Sequence, residues 1–418
     1  MKWLFSFLFF VTAWTVAASH LAVAGGVDAT PNPEPVNAFA GPLMIHGELK
    51  PSPKNEDLAN PYVEAHQIEE YLYLNRYFWH YHAKPQNTDA PPQEEPTASV
   101  DSEGHPLWLD RPYGFLTLQS LVTSLFWNKQ FDDLDRLFAD WNNPAERTAD
   151  GQWKLVAFSE AMDVLFWQPN DRDAVHEIVR DWRARNPRSA AAAIAEARYW
   201  SDYGWSARGD GPASSVAPEG WRLLSERLEN AQKVLTDSKP YASESPLWGR
   251  VQIEVGLGLN WSKAELLRVF QESAARQPYF YSLYTEMVNA LLPKWGGSWE
   301  LVDDFIRAAV KNTEAVEGYS LYSRLYWAVD PCNCNGPGLF TNSLANWPDM
   351  KRGFEDLIHR YPHSAWLANR YAAYACMAGD KDTFVRLRLT IGKIIVPAAW
   401  PQSPSLDVCD HRFPAQPL

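Results

Sequence analysis

Basic side chains are in deficit. The 418 residues carry 38 Lys and Arg against 51 Asp and Glu, a net charge of −13. A surface of that sign repels phosphate backbones, which excludes nucleic acid as the expected partner. Long apolar runs are missing as well: past residue 24 no segment approaches the ~20 residues that a membrane-spanning helix needs. No stretch shows the period-two alternation of a half-buried strand, so a sheet is not expected. Catalytic signatures are absent too. There is no G-x-S-x-G elbow, no H-E-x-x-H pair and no Gly-x₄-Gly-Lys-Ser nucleotide loop. No cofactor or metal is called for.

Cysteine is sparse. Cys332, Cys334, Cys376 and Cys409 are the four disulfide candidates, and four cysteines allow three connectivities. Cys332 and Cys334 sit too close in sequence for an easy mutual bridge. Each is expected to pair with Cys376 or Cys409, tying the C-terminal tail to the last helical pair. The rival, a zinc site completed by His411, lacks the C-x₂₋₄-C spacing such sites use.

The N-terminus reads as an export signal over residues 1–24. Lys2 supplies the positive charge, an apolar stretch follows, and Ala22-Val23-Ala24 offers a small-x-small cleavage site. Retention of this segment as an anchor is the alternative. The mature chain is then expected to be exported, periplasmic or secreted, with no stable membrane span. Residues 25–61 hold seven prolines and read as an extended leader. Residues 62–112 read as an aromatic helix (62–82) followed by an acidic, Pro-containing linker. The repeat domain spans 113–396, and a Pro-rich extended tail spans 397–418.

Within 113–396 one pattern recurs three times. An amphipathic run ends in Arg-x-Pro and a second run starts at once: Arg185-Asn186-Pro187, Arg276-Gln277-Pro278 and Arg360-Tyr361-Pro362. Proline stops one helix and preorganises the first turn of the next. Other helices follow from local signals. Phe131, Leu134, Leu137, Phe138 and Trp141 keep the i, i+3, i+4 rule. Ser262-Lys263-Ala264-Glu265 is a capping-box sequence, and Ala190 to Ala197 offers small side chains for close helix approach. The copies lie 91 and 84 residues apart, neither a multiple of the 34-residue tetratricopeptide unit. The expected fold is therefore all-α: an irregular, tetratricopeptide-like helical-hairpin repeat, or α-solenoid, with a Pro-rich leader and tail.

Three segments resemble an uncharacterised bacterial family, a domain of unknown function with tetratricopeptide-like helices. They run from Asn186 through Tyr199-Trp200 to Gly209, from Leu292 through Trp295-Gly296-Gly297 to Ser298, and from Tyr361 through Tyr374 to Asp380. The resemblance extends over about 114–396, with the Trp-Gly-Gly segment its most specific part. It implies a helical-repeat protein, exported or cytosolic, with no established activity.

Candidate binding residues each carry two readings. Trp205 and Arg208 form either a stacking and carboxylate-binding pair at a groove mouth or the closure and cap of a hairpin end. Trp295, Gly296 and Gly297 precede a helix capped by Ser298; they make either a backbone cradle for an anion or a packed turn. Tyr326 completes the set. Glu300, Asp303 and Asp304, and likewise Asp132, Asp133 and Asp135, are possible carboxylate pairs for glycan hydrolysis. Their places near helix starts give them an ordinary role against the macrodipole. Cys376 reads as a core thiol or disulfide partner rather than a nucleophile.

Aromatic residues make up 14% of the chain. Most should be helix packing, with some left to line a groove. The expected function is an exported scaffold of the cell envelope that binds protein or peptide and has no identifiable catalytic machinery. The alternative is an envelope carbohydrate-binding or glycan-processing helical protein that uses Trp and Tyr as sugar platforms.

Overall fold

The computed structural model describes residues 113–166, 172–209, 211–329, 338–392, 395–396, 399–401 and 404–414. The residues expected to form the export signal (1–24), the leader (25–61) and the aromatic helix with its linker (62–112) lie outside the described residues, as do Cys332 and Cys334. Among those described there are sixteen α-helices and no strand. In chain order they are α1 (Tyr113–Trp127), α2 (Phe131–Trp141), α3 (Lys154–Phe166), α4 (Arg172–Arg185), α5 (Ala190–Arg208), α6 (Pro218–Ala242), α7 (Pro246–Gly258) and α8 (Lys263–Arg276). There follow α9 (Tyr281–Leu291), α10 (Trp299–Glu317), α11 (Ser320–Val329), α12 (Leu339–Asn342), α13 (Trp347–Arg360), α14 (Ala365–Ala378), α15 (Lys381–Ile391) and α16 (Leu406–Arg412). None is long and apolar enough to cross a membrane.

The helices sort into two kinds by what their sequences can bury. In α7 eleven of thirteen residues are buried, and α3 buries nine of thirteen. Helices that are apolar all round belong inside. In α2 only Phe131, Leu134, Phe138 and Trp141 are buried, one stripe of an otherwise acidic helix. The packing follows this division. Helices α1, α3, α5, α7, α9 and α11 each pack on the next in that order, forming an inner row. Helices α2, α4, α6, α8 and α10 each wedge between two consecutive inner helices, and α13 does the same between α11 and α14.

The most extensive helix–helix contact among the described residues is that of α5 with α6. Ala191, Ala192, Ala193, Ala195 and Ala197 are all buried, as the small-residue run predicts. At Gly220 even a methyl group would come within 2.9 Å of the Ala207 carbonyl oxygen. Ser262 and Glu265 form the predicted reciprocal capping box of α8. Pro240 does not break α6 because it falls in its last turn, where the lost hydrogen bond is at the frayed end.

The Arg-x-Pro spacing now has a cause. The copies end α4, α8 and α13, alternate members of the outer row, so two hairpins separate successive copies. In each copy the arginine reaches back to the preceding outer helix. Arg185 pairs with Asp132 of α2 at 2.8 Å, Arg276 donates to the Ser243 carbonyl after α6 at 3.3 Å, and Arg360 donates to the Val316 carbonyl of α10 at 2.7 Å.

Two features depart from the sequence reading. The tail was expected to be extended, yet residues 406–412 form α16, packed on α14 and capped by Ser405. The disulfide expectation is also corrected: Cys376 of α14 bonds Cys409 of α16, with Cα atoms 5.9 Å apart. Both thiols are used by each other, so neither Cys332 nor Cys334 pairs with them. The reason is the tail helix itself, which buries Cys409 fully against α14.

The connection between α2 and α3 crosses the row. Residues 146–154 turn back on themselves through the Arg147–Trp153 bridge, with Lys154 N donating to Glu146 O at 2.9 Å. Gly151, at φ +82°, lets the turn tip press on Tyr361, whose ring would lie 2.2 Å from any added Cβ. Trp153 packs edge-on against Phe280 at 5.4 Å, ahead of α9. The turn thereby joins the first hairpins to the fifth and sixth.

Candidate functional site

The sequence-selected residues fall in two separate places. Trp205 ends α5, is only 7% exposed, and packs edge-on against Trp295 with ring centroids 5.8 Å apart. Two residues 90 positions apart in sequence thus meet. Arg208 lies over Trp221 instead, at 5.3 Å, and its Nη1 donates to the carbonyls of Gly209 (3.0 Å) and Gly211 (2.5 Å). It closes the end of α5 rather than pairing with Trp205. Gly296 is left-handed at φ +74°, and its N–H donates to Pro293 O. The Gly297 N–H donates to Leu292 O at 3.1 Å. Both amides are used within the turn, so the anion cradle has no donors there. Tyr326 is fully buried elsewhere, and its hydroxyl donates to Asp303 Oδ1 at 2.5 Å.

Most of the carboxylates weighed for catalysis are likewise engaged. Asp135 accepts from Trp182 Nε1 (3.1 Å), Asn186 (2.5 Å) and Ser189. Asp303 takes Tyr326 and, at 2.7 Å, Arg307 Nε. The Ser298 hydroxyl at the start of α10 lowers the pKa of Glu300, the opposite of what a general acid requires. An open groove of about 750 Å³ lies between α2 and the α4–α5 turn, lined by Phe138, Asn142, Pro187, Arg188 and Ala191. Its acidic member is Asp135, already saturated, and a larger group of ionisable side chains lies elsewhere.

It lies on the inner row. Four successive inner helices each place ionisable side chains into one cluster: Asp163 from α3, Arg198 and Asp202 from α5, Arg250 and Glu254 from α7, and Glu286 from α9. Arg198 is the hub. Its side chain is 6% exposed and its guanidinium bonds Asp163 and Glu254, with Asp202 Oδ1 at 3.4 Å. Glu254 also accepts from Ser201 Oγ at 2.8 Å. Arg250 donates to Ser159 Oγ at 2.7 Å and pairs with Glu286 at 3.5 Å.

Burial raises the pKa of Asp202 well above the ordinary carboxylate range, with Asp163 and Glu254 adding to the shift against Arg198. Burial raises Glu286 too, opposed by Arg250. Burial disfavours a charged Arg198, but Asp163, Asp202 and Glu254 outweigh it and hold the guanidinium protonated. The carboxylates do not converge on one point: among the described residues no three His, Cys, Asp or Glu side chains gather to hold a metal ion.

Residues 118–235 match the family Domain of unknown function (DUF4034). The match starts inside α1 and ends within α6. It contains the first of the three resembling segments, 186–209, together with Asp163, Arg198 and Asp202. The Trp295 segment and the 361–380 segment lie beyond it, as do Arg250, Glu254 and Glu286. No curated protein and no solved structure matches the chain.

The cluster was not selected from sequence, although a signal existed. Arg198 and Asp202, and again Arg250 and Glu254, are i, i+4 pairs of opposite charge on helices otherwise nearly devoid of a polar face. A charged pair on a helix with no solvent side has to be buried and partnered.

Proposed function

We propose that the chain is an exported, irregular tetratricopeptide-like stack of helical hairpins that binds a protein or peptide along its inner row. The observation that carries this reading is the cluster on α3, α5, α7 and α9. Helices of such a row need only apolar residues to pack, and burying charges there costs stability even when they are paired, so their presence favours a role beyond packing. Repeat arrays use their extended concave surface for recognition, and Asp163, 36% exposed, is the member of the cluster that reaches solvent. The disulfide between Cys376 and Cys409 supports an oxidising compartment, in keeping with the 1–24 signal.

The aromatic content argues against the sugar-platform alternative. Trp153, Trp182, Tyr284, Tyr322, Tyr371 and Tyr374 are fully buried, and Trp221, at 41%, is the one exposed large aromatic among the described side chains. Sugar platforms require solvent-facing rings. The test is a peptide-display selection run beside a polysaccharide panel, both on the full mature chain. Enrichment of peptides that a D163N variant no longer retains supports the reading. Retention of a polysaccharide without any peptide enrichment overturns it.

A further inference from the structure

Helix α4 places Arg172, His176 and Arg180 one turn apart on a single face. That face meets an aromatic stripe of α5, Tyr199, Trp200 and Tyr203. His176 stacks on Tyr199 with ring centroids 4.6 Å apart and meets Trp200 edge-on at 5.1 Å. Tyr203 takes two guanidiniums: Arg172 lies 4.3 Å from its ring centroid, and Arg227 of α6 lies 3.2 Å from it.

These arginines have no counter-charge among the described residues. In a chain of 51 acidic against 38 basic side chains, that is unexpected. The two guanidiniums over Tyr203 lie within about 8 Å of each other and repel, which cation–π contact with one ring offsets only in part. The carboxylates nearby are engaged elsewhere: Glu196 pairs with Arg183 at 2.9 Å and Glu226 with Arg222 at 2.8 Å. Asp173 follows Arg172 in sequence but pairs with neither arginine. Burial lowers the pKa of Arg227, and Arg172 adds to the fall against Tyr203. Arg227 spends Nη1 on the Tyr203 carbonyl at 2.7 Å, which leaves Nε and Nη2 for another acceptor. Arg172 donates to no described residue, and its buried Nη1 meets no acceptor. Both side chains reach solvent beside the same ring: Arg172, Arg227, Tyr203, Trp200 and His176 are all half-buried, and Arg180 is exposed.

We propose that Arg172 and Arg227 together bind the oxyanion, carboxylate or phosphate, of a small ligand whose apolar body lies on Trp200. Guanidiniums held against a ring offer their N–H edges to such a group, and one oxyanion can bridge two of them. Trp200 adjoins Tyr203, with centroids 6.4 Å apart and planes tilted by 31°, and supplies apolar surface next to the charge. A polyanion such as nucleic acid is a poor occupant because the remainder of the chain repels it. The site is separate from the inner-row cluster and does not depend on the peptide reading.

The test uses the full mature chain and three probes: 3-phenylpropionate, phenyl phosphate and the neutral 3-phenylpropionamide. Titration calorimetry should show at least one anion binding about tenfold or more tightly than the amide, a separation typical of charge-assisted contact. Tighter binding of phenylpropionate assigns the oxyanion to a carboxylate ligand and tighter binding of phenyl phosphate to a phosphoryl one; either supports the site. Arg172→Gln and Arg227→Gln should each reduce the preference severalfold, whereas Arg222→Gln, at an exposed ion pair of the same helix as Arg227, should leave it unchanged. Circular dichroism checks the fold of each variant. Should Arg227→Gln unfold through loss of its bond to Tyr203, Arg172→Gln carries the test, since Arg172 holds no bond within the described fold. Equal affinity for the amide and both anions, as expected if a carboxylate of the chain itself already serves the pair, would overturn the inference. So would a preference untouched by Arg172→Gln.

Discussion

Replacing Arg147 tests whether the 146–154 turn holds the stack together. Its guanidinium is fully enclosed and donates four times: Nε to Pro144 O (2.9 Å), and Nη1 to Gly151 O (2.9 Å), Tyr281 OH (2.7 Å) and Tyr361 OH (3.3 Å). Two of these bonds span 134 and 214 residues of sequence. Burial disfavours the charge, but Tyr281, Tyr361 and Glu317 outweigh it and keep Arg147 protonated. A hydrogen bond to a charged group contributes about 1.5–3 kcal/mol, and such bonds are not additive within one side chain. Removing a member of a buried charged network typically costs about 3–5 kcal/mol. We expect Arg147→Ala to fall in that range, and Arg147→Lys to recover only part because an ammonium placed where Nη1 lies leaves the Pro144 carbonyl without its Nε donor. The assay is urea unfolding followed by far-ultraviolet circular dichroism and tryptophan fluorescence, with coincident transitions required before a free energy is extracted. A double-mutant cycle with Tyr361→Phe should show coupling of about 1 kcal/mol or more. A cost for Arg147→Ala below about 1 kcal/mol, with no coupling to Tyr361, would refute the claim that the turn joins distant hairpins.

Other consequences follow from single sites. The Cys376–Cys409 bridge closes a loop of 33 residues, which corresponds to about 3–4 kcal/mol in the chain-entropy model, so Cys376→Ser with Cys409→Ser should lower the urea midpoint markedly; peptide mapping under non-reducing conditions that links either cysteine to Cys332 or Cys334 would contradict the pairing. Asp380 caps α15 and accepts from Trp347 Nε1 (3.0 Å), Lys351 (2.9 Å) and Thr383 (2.9 Å). Burial alone would raise its pKa, but these bonds lower it. Its stabilisation is therefore present above the ordinary Asp pKa and lost as pH falls below it. Asp380→Ala should cost about 1–2 kcal/mol near neutrality, and the gap to the parent should close in acid; a gap that stays constant from pH 7 to pH 3 would show the charge to be irrelevant. Asp202 has the opposite sign. Its raised pKa means that the folded state keeps the proton longer than the unfolded chain, so its contribution is lost as pH rises; Asp202→Asn should flatten that part of the stability–pH curve, which urea titrations at several pH values will read. Gly297→Ala would bring a Cβ within 1.8 Å of the Leu291 carbonyl oxygen, and backbone cannot yield as a side chain does, so a loss of about 1–3 kcal/mol or more is expected; a thermal midpoint equal to that of the parent would contradict the close approach.

The helical class, the extent of α2, the ends of α4, α8 and α13, the capping box of α8 and the buried alanine run of α5 were all legible in the sequence, because each depends on neighbours within one or two turns. What was not legible depends on distant residues. The Arg-x-Pro interval looked irregular until the arginines were seen to end every second outer helix. The tail read as extended because its prolines are local signals, whereas α16 is held by a bond to Cys376, 33 residues back. Arg147 gave no periodic signal at all, since its partners Tyr281 and Tyr361 come from the fifth and sixth hairpins. Trp205 and Trp295 were selected separately and do meet, yet as packed rings closing helix ends. The cluster around Arg198 was overlooked because charged residues on a chain of net charge −13 read as surface until their helices prove to have none.

Hydrogen exchange on the mature chain, with and without a saturating peptide from the display selection, tests the central claim most directly. Amides of α3 near Asp163, α7 near Arg250 and Glu254, and α9 near Glu286 should gain protection on binding, while the outer helices α2, α8 and α13 should not change. Protection confined to the outer row, or to the groove between α2 and the α4–α5 turn, would contradict recognition on the inner face.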